Sequence, residues 1–191
     1  VLPRFGAIFK LSENNILKFL YGRAINHPSI YQSAAQAAAL QLPLEPEFIQ
    51  TFEFNYLSAL SENFSINTSL FYNYFEKLIV NEPFVDPATG AWIGQNLNSG
   101  EMSTIGGELT IKAKLFESFL MELSGTYQKA EDRRTAFKDI IPAYSPEILG
   151  YFKAGYSFGT NTTLAVIGRY VGAMETYYDV TIPGRIAAKT D

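Results

Sequence analysis

A two-residue alternation of apolar and polar side chains, sustained over unusually long stretches, most constrains what this chain can fold into. From Phe64 one set reads Phe64, Ile66, Thr68, Leu70, Tyr72 and Tyr74, and the residues between are Ser65, Asn67, Ser69, Phe71, Asn73 and Phe75. From Ile105 the sets are Ile105, Gly107, Leu109, Ile111, Ala113 and Leu115 against Gly106, Glu108, Thr110, Lys112 and Lys114. A third run sets Phe119, Met121, Leu123, Gly125 and Tyr127 against Leu120, Glu122, Ser124, Thr126 and Gln128. Successive strand side chains point to opposite faces, so this period predicts strands with one apolar and one polar face; a 3.6-residue helical template fits badly.

Proline supplies the punctuation, because it removes a ladder donor and is kept out of sheet interiors. No proline occurs in 47–82 or 88–141. Alternation then predicts about eight strands, over 5–11, 16–25, 49–57, 63–79, 105–115, 119–128, 148–158 and 162–172. The segments 12–15, 61–63, 117–118 and 159–161 are short, free of proline and built from Ser, Glu, Asn and Gly with one Thr, which suits hairpin turns. The connections 26–46, 80–98, 130–145 and 173–185 are long and hold every proline but Pro3 and Pro146, the latter just past the third, as well as His27 and Trp92. Short and long connections alternate, so an up-and-down sheet collects all short turns at one end and all long loops at the other. The Ala-rich stretch Ser33–Gln41 predicts a helical turn within the first long loop.

Alternation leaves open whether the apolar face meets a protein core or lipid. Three features favour lipid. The stretch 63–79 predicts a 17-residue strand, where globular strands average about 5–6 residues and a barrel crossing takes about 9–11. Tyr21, Tyr72, Tyr74, Phe75, Tyr127 and Tyr170 gather near the loop-side ends, where an apolar ring with a polar tip suits the headgroup level. The polar face carries Glu108, Lys112, Lys114, Glu122 and Arg169, which are costly in a dry core and comfortable in a wet lumen. Charged residues are 18% of the chain, against roughly 25% in soluble domains, as expected when one face avoids water. A soluble antiparallel sandwich with its polar face in water is the competing architecture.

Composition excludes other classes. With no cysteine and one histidine, neither a disulfide framework nor a protein-built metal site is expected. A net charge of −4 without basic clusters argues against nucleic-acid binding. No Ser-His-Asp arrangement or Gly-rich phosphate loop is present, so no catalytic activity and no cofactor are expected. Candidate ligand-facing residues are Arg23 and Arg169 at loop-side strand ends, and His27 and Trp92 in long loops. To these the charged run Glu131-Asp132-Arg133-Arg134 adds Arg133 and Arg134. Each also has a plainer reading: lumen-side solvation for Arg23 and Arg169, a rim anchor for Trp92, a solvated loop for the charged run.

The residues also resemble a known family. Leu2-Pro3-Arg4-Phe5-Gly6-Ala7-Ile8-Phe9 and then Leu17-Lys18-Phe19-Leu20-Tyr21-Gly22-Arg23-Ala24-Ile25-Asn26-His27-Pro28-Ser29 are similar to barrel strands of TonB-dependent outer-membrane receptors. In order follow Leu44-Glu45-Pro46-Glu47 with Thr51-Phe52-Glu53, then Ser69-Leu70-Phe71-Tyr72-Asn73 leading to Leu78-Ile79. Asn96 ahead of Gly106-Gly107-Glu108-Leu109 resembles the family's Asn-x-Gly to Gly-x-Glu segment, and Pro142 its proline before the next strand. His27 departs from the basic residue expected beside that Pro-Ser. The resemblance, over roughly 2–158, implies an all-β, antiparallel up-and-down transmembrane β-barrel, here about eight strands of a barrel of about 22.

It further implies a bacterial outer-membrane location, a lipid bilayer as partner, and uptake of a scarce ligand such as a siderophore–iron complex. TonB would act only through a plug domain that this sequence does not contain. On that reading residues 1–191 are a partial barrel domain: Val1-Leu2-Pro3-Arg4 opens without a signal peptide, and Lys189-Thr190-Asp191 lacks a closing aromatic. Two alternatives stay open at this point, a self-contained eight-stranded outer-membrane barrel with a structural or adhesive role and a soluble lipocalin-like ligand-binding barrel.

Overall fold

The computed structural model of the chain describes residues 1–38, 41–85, 92–116, 118–134, 144–159 and 161–174, with Gly90 and Pro142. Eight strands follow in order: β1 (Arg4–Ser12), β2 (Asn15–Asn26), β3 (Glu47–Ser61), β4 (Phe64–Val85), β5 (Trp92–Leu115), β6 (Phe119–Asp132), β7 (Ile148–Phe158) and β8 (Thr162–Val171). Each pairs antiparallel with its sequence neighbours, giving one up-and-down sheet in the order β1 to β8. No β8–β1 pairing closes it among the described residues, which is not the closed barrel that the two alternative readings require.

The short turns are built as their residues predict. Ser12 Oγ accepts from the Asn14 N–H and from Asn15 Nδ2, and Ser61 Oγ accepts from the Asn63 N–H, the local hydroxyl bonds that favour a turn over continued strand. Gly159 takes φ +59° in the last turn, a left-handed conformation that costs glycine little.

The long connections differ from expectation in three places. Segment 80–98 is mostly not a loop: β4 and β5 continue past the predicted ends and pair through Pro83↔Gly94 to Val85↔Trp92. At 22 and 24 residues they far exceed a membrane crossing, so the hairpin rises beyond it. There β4 and β5 pair with each other, and a proline can sit where no second neighbour needs its N–H. Glu131 and Asp132 end β6 rather than lying in a loop, held by Ser103↔Glu131 and Met102↔Asp132. The helix is α1 (Ile30–Ala38), starting three residues early. Ser29 caps it: Gln32 N–H donates to Ser29 Oγ, and Gln32 Oε1 accepts from the Ser29 N–H, a capping box the Ala-rich composition did not signal. Most of segment 173–185, with the C-terminal residues, lies outside the described residues.

Among the described residues no second layer covers the sheet. Among the described residues the buried hydrophobics are Ala113 and Ala130, and no large side chain is fully buried. Phe5, Phe9, Phe19, Phe52, Leu70 and Ile105 are exposed. A single sheet with its large apolar groups outward has no core of its own and requires an apolar solvent on that face. Among the described residues no helix is long and apolar enough to cross a membrane; strands are the crossing elements.

Candidate functional site

The register separates two surfaces. One row across the strands reads Phe5, Tyr21, Phe52, Tyr72, Ile105, and the next Ala7, Phe19, Phe54, Leu70, Gly107, Tyr127, Ile148. Rings meet within these rows: Tyr21 and Phe52 centroids are 4.8 Å apart, Phe19 and Phe54 6.3 Å edge-to-face. This is the lipid-facing surface, with its tyrosines toward the long-loop end. Phe75 is an exception to the expected aromatic belt. It pairs with Ile49 and Met102 and so falls on the other face, as two-residue alternation from Tyr74 demands.

The opposite face is the candidate lumen wall. Its rows read Lys18, Asn55, Ser69, Glu108, Thr126, then Asn67, Thr110, Ser124, Tyr151, Arg169, then Ser65, Lys112, Glu122, Lys153. The side chains satisfy one another across strands: Thr51 Oγ1 donates to Asn73 Oδ1 at 2.8 Å, Ser69 Oγ to Glu53 at 3.3 Å, and Lys112 meets Glu122 at 3.5 Å. Such a wall suits water or a polar occupant and supplies neither a nucleophile–base pair nor, among the described residues, a metal-ligand cluster.

At the long-loop rim the first loop is tied to the β4–β5 hairpin. Asn98 Oδ1 accepts the Glu45 N–H, and Asn98 Nδ2 donates to the carbonyls of Glu45 and Lys77, each at 2.8 Å. Lys77, at φ +56° in a bulge of β4, turns its ammonium onto the Glu45 carboxylate. Glu47 accepts from the Ile79 N–H and from Asn26 Nδ2, both at 2.7 Å. Gln36 of α1, 3% exposed, donates to the carbonyls of Leu42 and Asn96 at 3.0 Å. The Leu44-Glu45-Pro46-Glu47 motif is thus a clasp.

Its partner is Asn98, two residues past the Asn96 singled out by the resemblance. Asn96 offers its backbone carbonyl to Gln36 and its side chain to Asn81, whereas the clasping asparagine is Asn98. The sequence holds the signal, since Asn98-Ser99-Gly100 is an Asn-x-Gly and Asn96-Leu97-Asn98 is not. Gly100 is required by close approach: a Cβ there would lie 2.7 Å from Leu78 Cβ.

The six candidate residues do not converge. Arg169 lies on the polar face. Arg23 is on the lipid-facing side instead of the vestibule, because it pairs with Gln50 one step above Tyr21 and Phe52. There it lies 4.4 Å from the Phe48 ring centroid and 3.7 Å from Glu76, its Nε buried without a hydrogen-bond partner. Arg133 shares Glu131 with Lys129, and Arg134 forks onto Asp132 at 2.6–3.1 Å. His27 is exposed beyond β2. Trp92 opens β5 opposite Val85 rather than lying in a loop, and its side chain is outside what is described.

With an unclosed sheet, a lipid-type face, a polar wall and a clasped rim established, likeness to known proteins decides the family. Residues 1–190 match the family model described as TonB dependent receptor-like, beta-barrel. The chain belongs to the TonB-dependent receptor β-barrel family. Members are outer-membrane proteins of Gram-negative bacteria, and the family and its structural relatives are receptors and transporters rather than enzymes.

A search of curated protein sequences finds no match. Among solved structures, the FrpB iron transporter from Neisseria meningitidis aligns over 91% of this chain and 27% of its own, at 17% identity and TM-score 0.67. The copper transporter OprC aligns over 91% and 27%, at 16% identity and TM-score 0.70. The ferric yersiniabactin uptake receptor FyuA from Yersinia pestis aligns over 94% and 27%, at 12% and 0.70. The chain spans about a quarter of each, and at these identities the likeness is one of fold.

Proposed function

We propose that this TonB-dependent receptor segment forms part of the barrel wall of a transporter taking up a scarce ligand such as a siderophore–iron complex. The observation that carries the reading is the division of one sheet into an aromatic outer face and a hydrogen-bonded polar inner face, capped by a clasped rim at the long-loop end. Long loops of such barrels are extracellular, so the rim is where ligand is first met. Arg169 on the inner face and, apart from it, Arg134 at the rim past β6 are the candidates for anionic ligand groups; His27 and Trp92 belong to the long-loop side as well. On this reading the segment does no covalent chemistry. A plug domain, carried elsewhere in the receptor, fills the lumen and passes TonB's energy to the ligand. Several structural relatives are named for iron or ferric-siderophore uptake, which supports the ligand class, while OprC is named for copper.

The test is genetic. A strain deleted for the gene carrying this chain is starved of iron and offered a panel of ferric siderophores, and in parallel is starved of copper and offered copper salts. Restored growth on at least one ferric siderophore, dependent on the gene and on TonB, is expected. Restoration by copper alone overturns the siderophore reading, and no gene-dependent uptake of either overturns the transporter reading.

A further inference from the structure

The β4–β5 hairpin breaks its ladder where it leaves the barrel wall. From Phe75 to Leu78 three residue steps on β4 face two on β5, Met102 to Gly100; from Leu78 to Val80 two steps face three, Gly100 to Leu97. One extra residue on β4 is followed at once by one on β5. The two cancel, and unbroken pairing resumes from Val80↔Leu97 to Val85↔Trp92. A lone bulge shifts a register, whereas a cancelling pair leaves only its bend and added twist. Lys77 lies in this joint at φ +56°, a left-handed conformation that costs a residue with a side chain.

Both flanking strands stop at the same level. The last β3 pair is Phe48↔Glu76 and the last β6 pair is Met102↔Asp132, so among the described residues the hairpin has no sheet neighbour above the joint. Val85 stands seven residues above Leu78, about 23 Å at strand rise, so a small rotation at the joint displaces it by several ångströms. The first long loop crosses this joint. Above it, Gln36 of α1 donates to the Asn96 carbonyl at 3.0 Å. At it, Asn98 holds both backbone groups of Glu45, and the Glu45 carboxylate meets the Lys77 ammonium. Neither Lys77 nor Ile79 has a register partner on β5. Each has a backbone group held by a side chain: the Lys77 carbonyl accepts from Asn98 Nδ2 at 2.8 Å, and the Ile79 N–H donates to Glu47 of β3 at 2.7 Å.

We propose that the hairpin above the double bulge is a lever hinged at 76–79 and 98–100, and that the loop between β2 and β3 is its brace, so that the two are held or released together. The brace ties the lever to β3 at the level where the sheet stops supporting it, and its bonds satisfy the backbone groups that the bulges leave unpaired. The device is independent of which ligand the receptor imports.

The test uses the full-length receptor carrying this chain, in a cysteine-free background and reconstituted in nanodiscs. Spin labels at Gln95→Cys on the lever and at Tyr31→Cys on α1 are each paired with Lys129→Cys on β6, and distance distributions are read by pulsed electron resonance. Narrow distributions are expected for both pairs in the parent. Asn98→Ala and Glu47→Ala, which cut the brace at different bonds, are each expected to widen both by about twofold or more, as for a released hinge. Asn98→Asp keeps the acceptor for the Glu45 N–H and loses the donated bonds, and is expected to widen both to a lesser degree. Asn81→Ala, whose side-chain bond to Asn96 at 3.1 Å lies wholly within the lever, is expected to leave both narrow. Heat-modifiable gel migration checks folding, and Asn98→Asp decides if the alanine variants misfold. A wide lever distribution in the parent, a loop that is released while the lever stays narrow, a lever that is released while the loop stays narrow, or no widening of either each overturns the proposal.

Discussion

Asn98 reads the backbone of Glu45 as a neighbouring strand would, accepting its N–H and donating to its carbonyl, each at 2.8 Å. Together with the Lys77–Glu45 pair and the Gln36–Asn96 bond, this side chain fixes the end of the 20-residue connection between β2 and β3. Removing it leaves two carbonyls and one N–H to find water at the rim, a local cost of about 1–3 kcal/mol. Asn98→Ala is expected to speed proteolytic cleavage within 27–46 by tenfold or more, read on intact cells, with heat-modifiable migration of the barrel unchanged. Asn96→Ala, which keeps the carbonyl that Gln36 uses, is expected to change cleavage little. Equal effects from the two would remove the clasp's special role.

Ser69 and Leu70 are adjacent in sequence and opposite in environment. Leu70 is 55% exposed on the aromatic face, while Ser69 lies on the polar face opposite Asn55 and Glu108. An arginine on a barrel's lipid face costs about 2–4 kcal/mol near the bilayer midplane. Leu70→Arg is expected to lower the folded fraction after refolding into vesicles by that amount. Ser69→Arg, placed beside Glu53 and Glu108, is expected within about 0.5 kcal/mol of the parent. Urea titration in vesicles measures both, and comparable losses would reverse the assignment of faces.

The faces were legible in the sequence because two-residue alternation encodes them: Glu108, Lys112 and Arg169 fall opposite Leu109, Ile111 and Tyr170 as read. Short turns were legible too, through Ser12, Ser61 and Gly159. Strand ends at the long loops were not. Proline marks where a ladder donor is missing, yet Pro83 continues β4, since outside the membrane only one neighbour needs pairing. Arg23 was misplaced because chemistry suggested a lumen, while parity with Tyr21 puts it outside. The clasp was hidden for another reason: Glu45 and Asn98 are 53 residues apart, and neither alternation nor turn chemistry carries information over that distance.

Arg23 stacks on Phe48 and meets Glu76 only at 3.7 Å, with both side chains about one-third exposed. A partly exposed ion pair of that length contributes at most about 1 kcal/mol, and the ring contact about as much. Glu76→Gln is therefore expected to cost under about 1 kcal/mol. Arg23→Ala, which loses stem packing and the ring contact as well, is expected to cost about 1–2 kcal/mol. Because Arg23 faces away from the lumen, Arg23→Ala is expected to leave ligand affinity unchanged within twofold. Calorimetric titration with whichever ligand the uptake screen identifies would show otherwise if Arg23 reached the vestibule.

Gly106 and Gly125 make opposite demands although both sit in regular ladder positions. A Cβ at Gly106 would lie 2.6 Å from the Tyr127 carbonyl oxygen and 2.6 Å from Phe71 Cζ, whereas at Gly125 it would meet nothing within 4 Å. Phe71 can swing its ring, but the carbonyl belongs to the β5–β6 ladder and moves only if the strands part. Gly106→Ala is expected to destabilise the barrel by about 1–3 kcal/mol, the usual cost of overpacking. Gly125→Ala adds a side chain to an unstrained strand and is expected to be neutral or to stabilise by up to about 1 kcal/mol. Paired urea midpoints in vesicles decide it. If Gly125→Ala proved as damaging as Gly106→Ala, the outer glycine would be serving the fold, and the contrast between the two positions would fail.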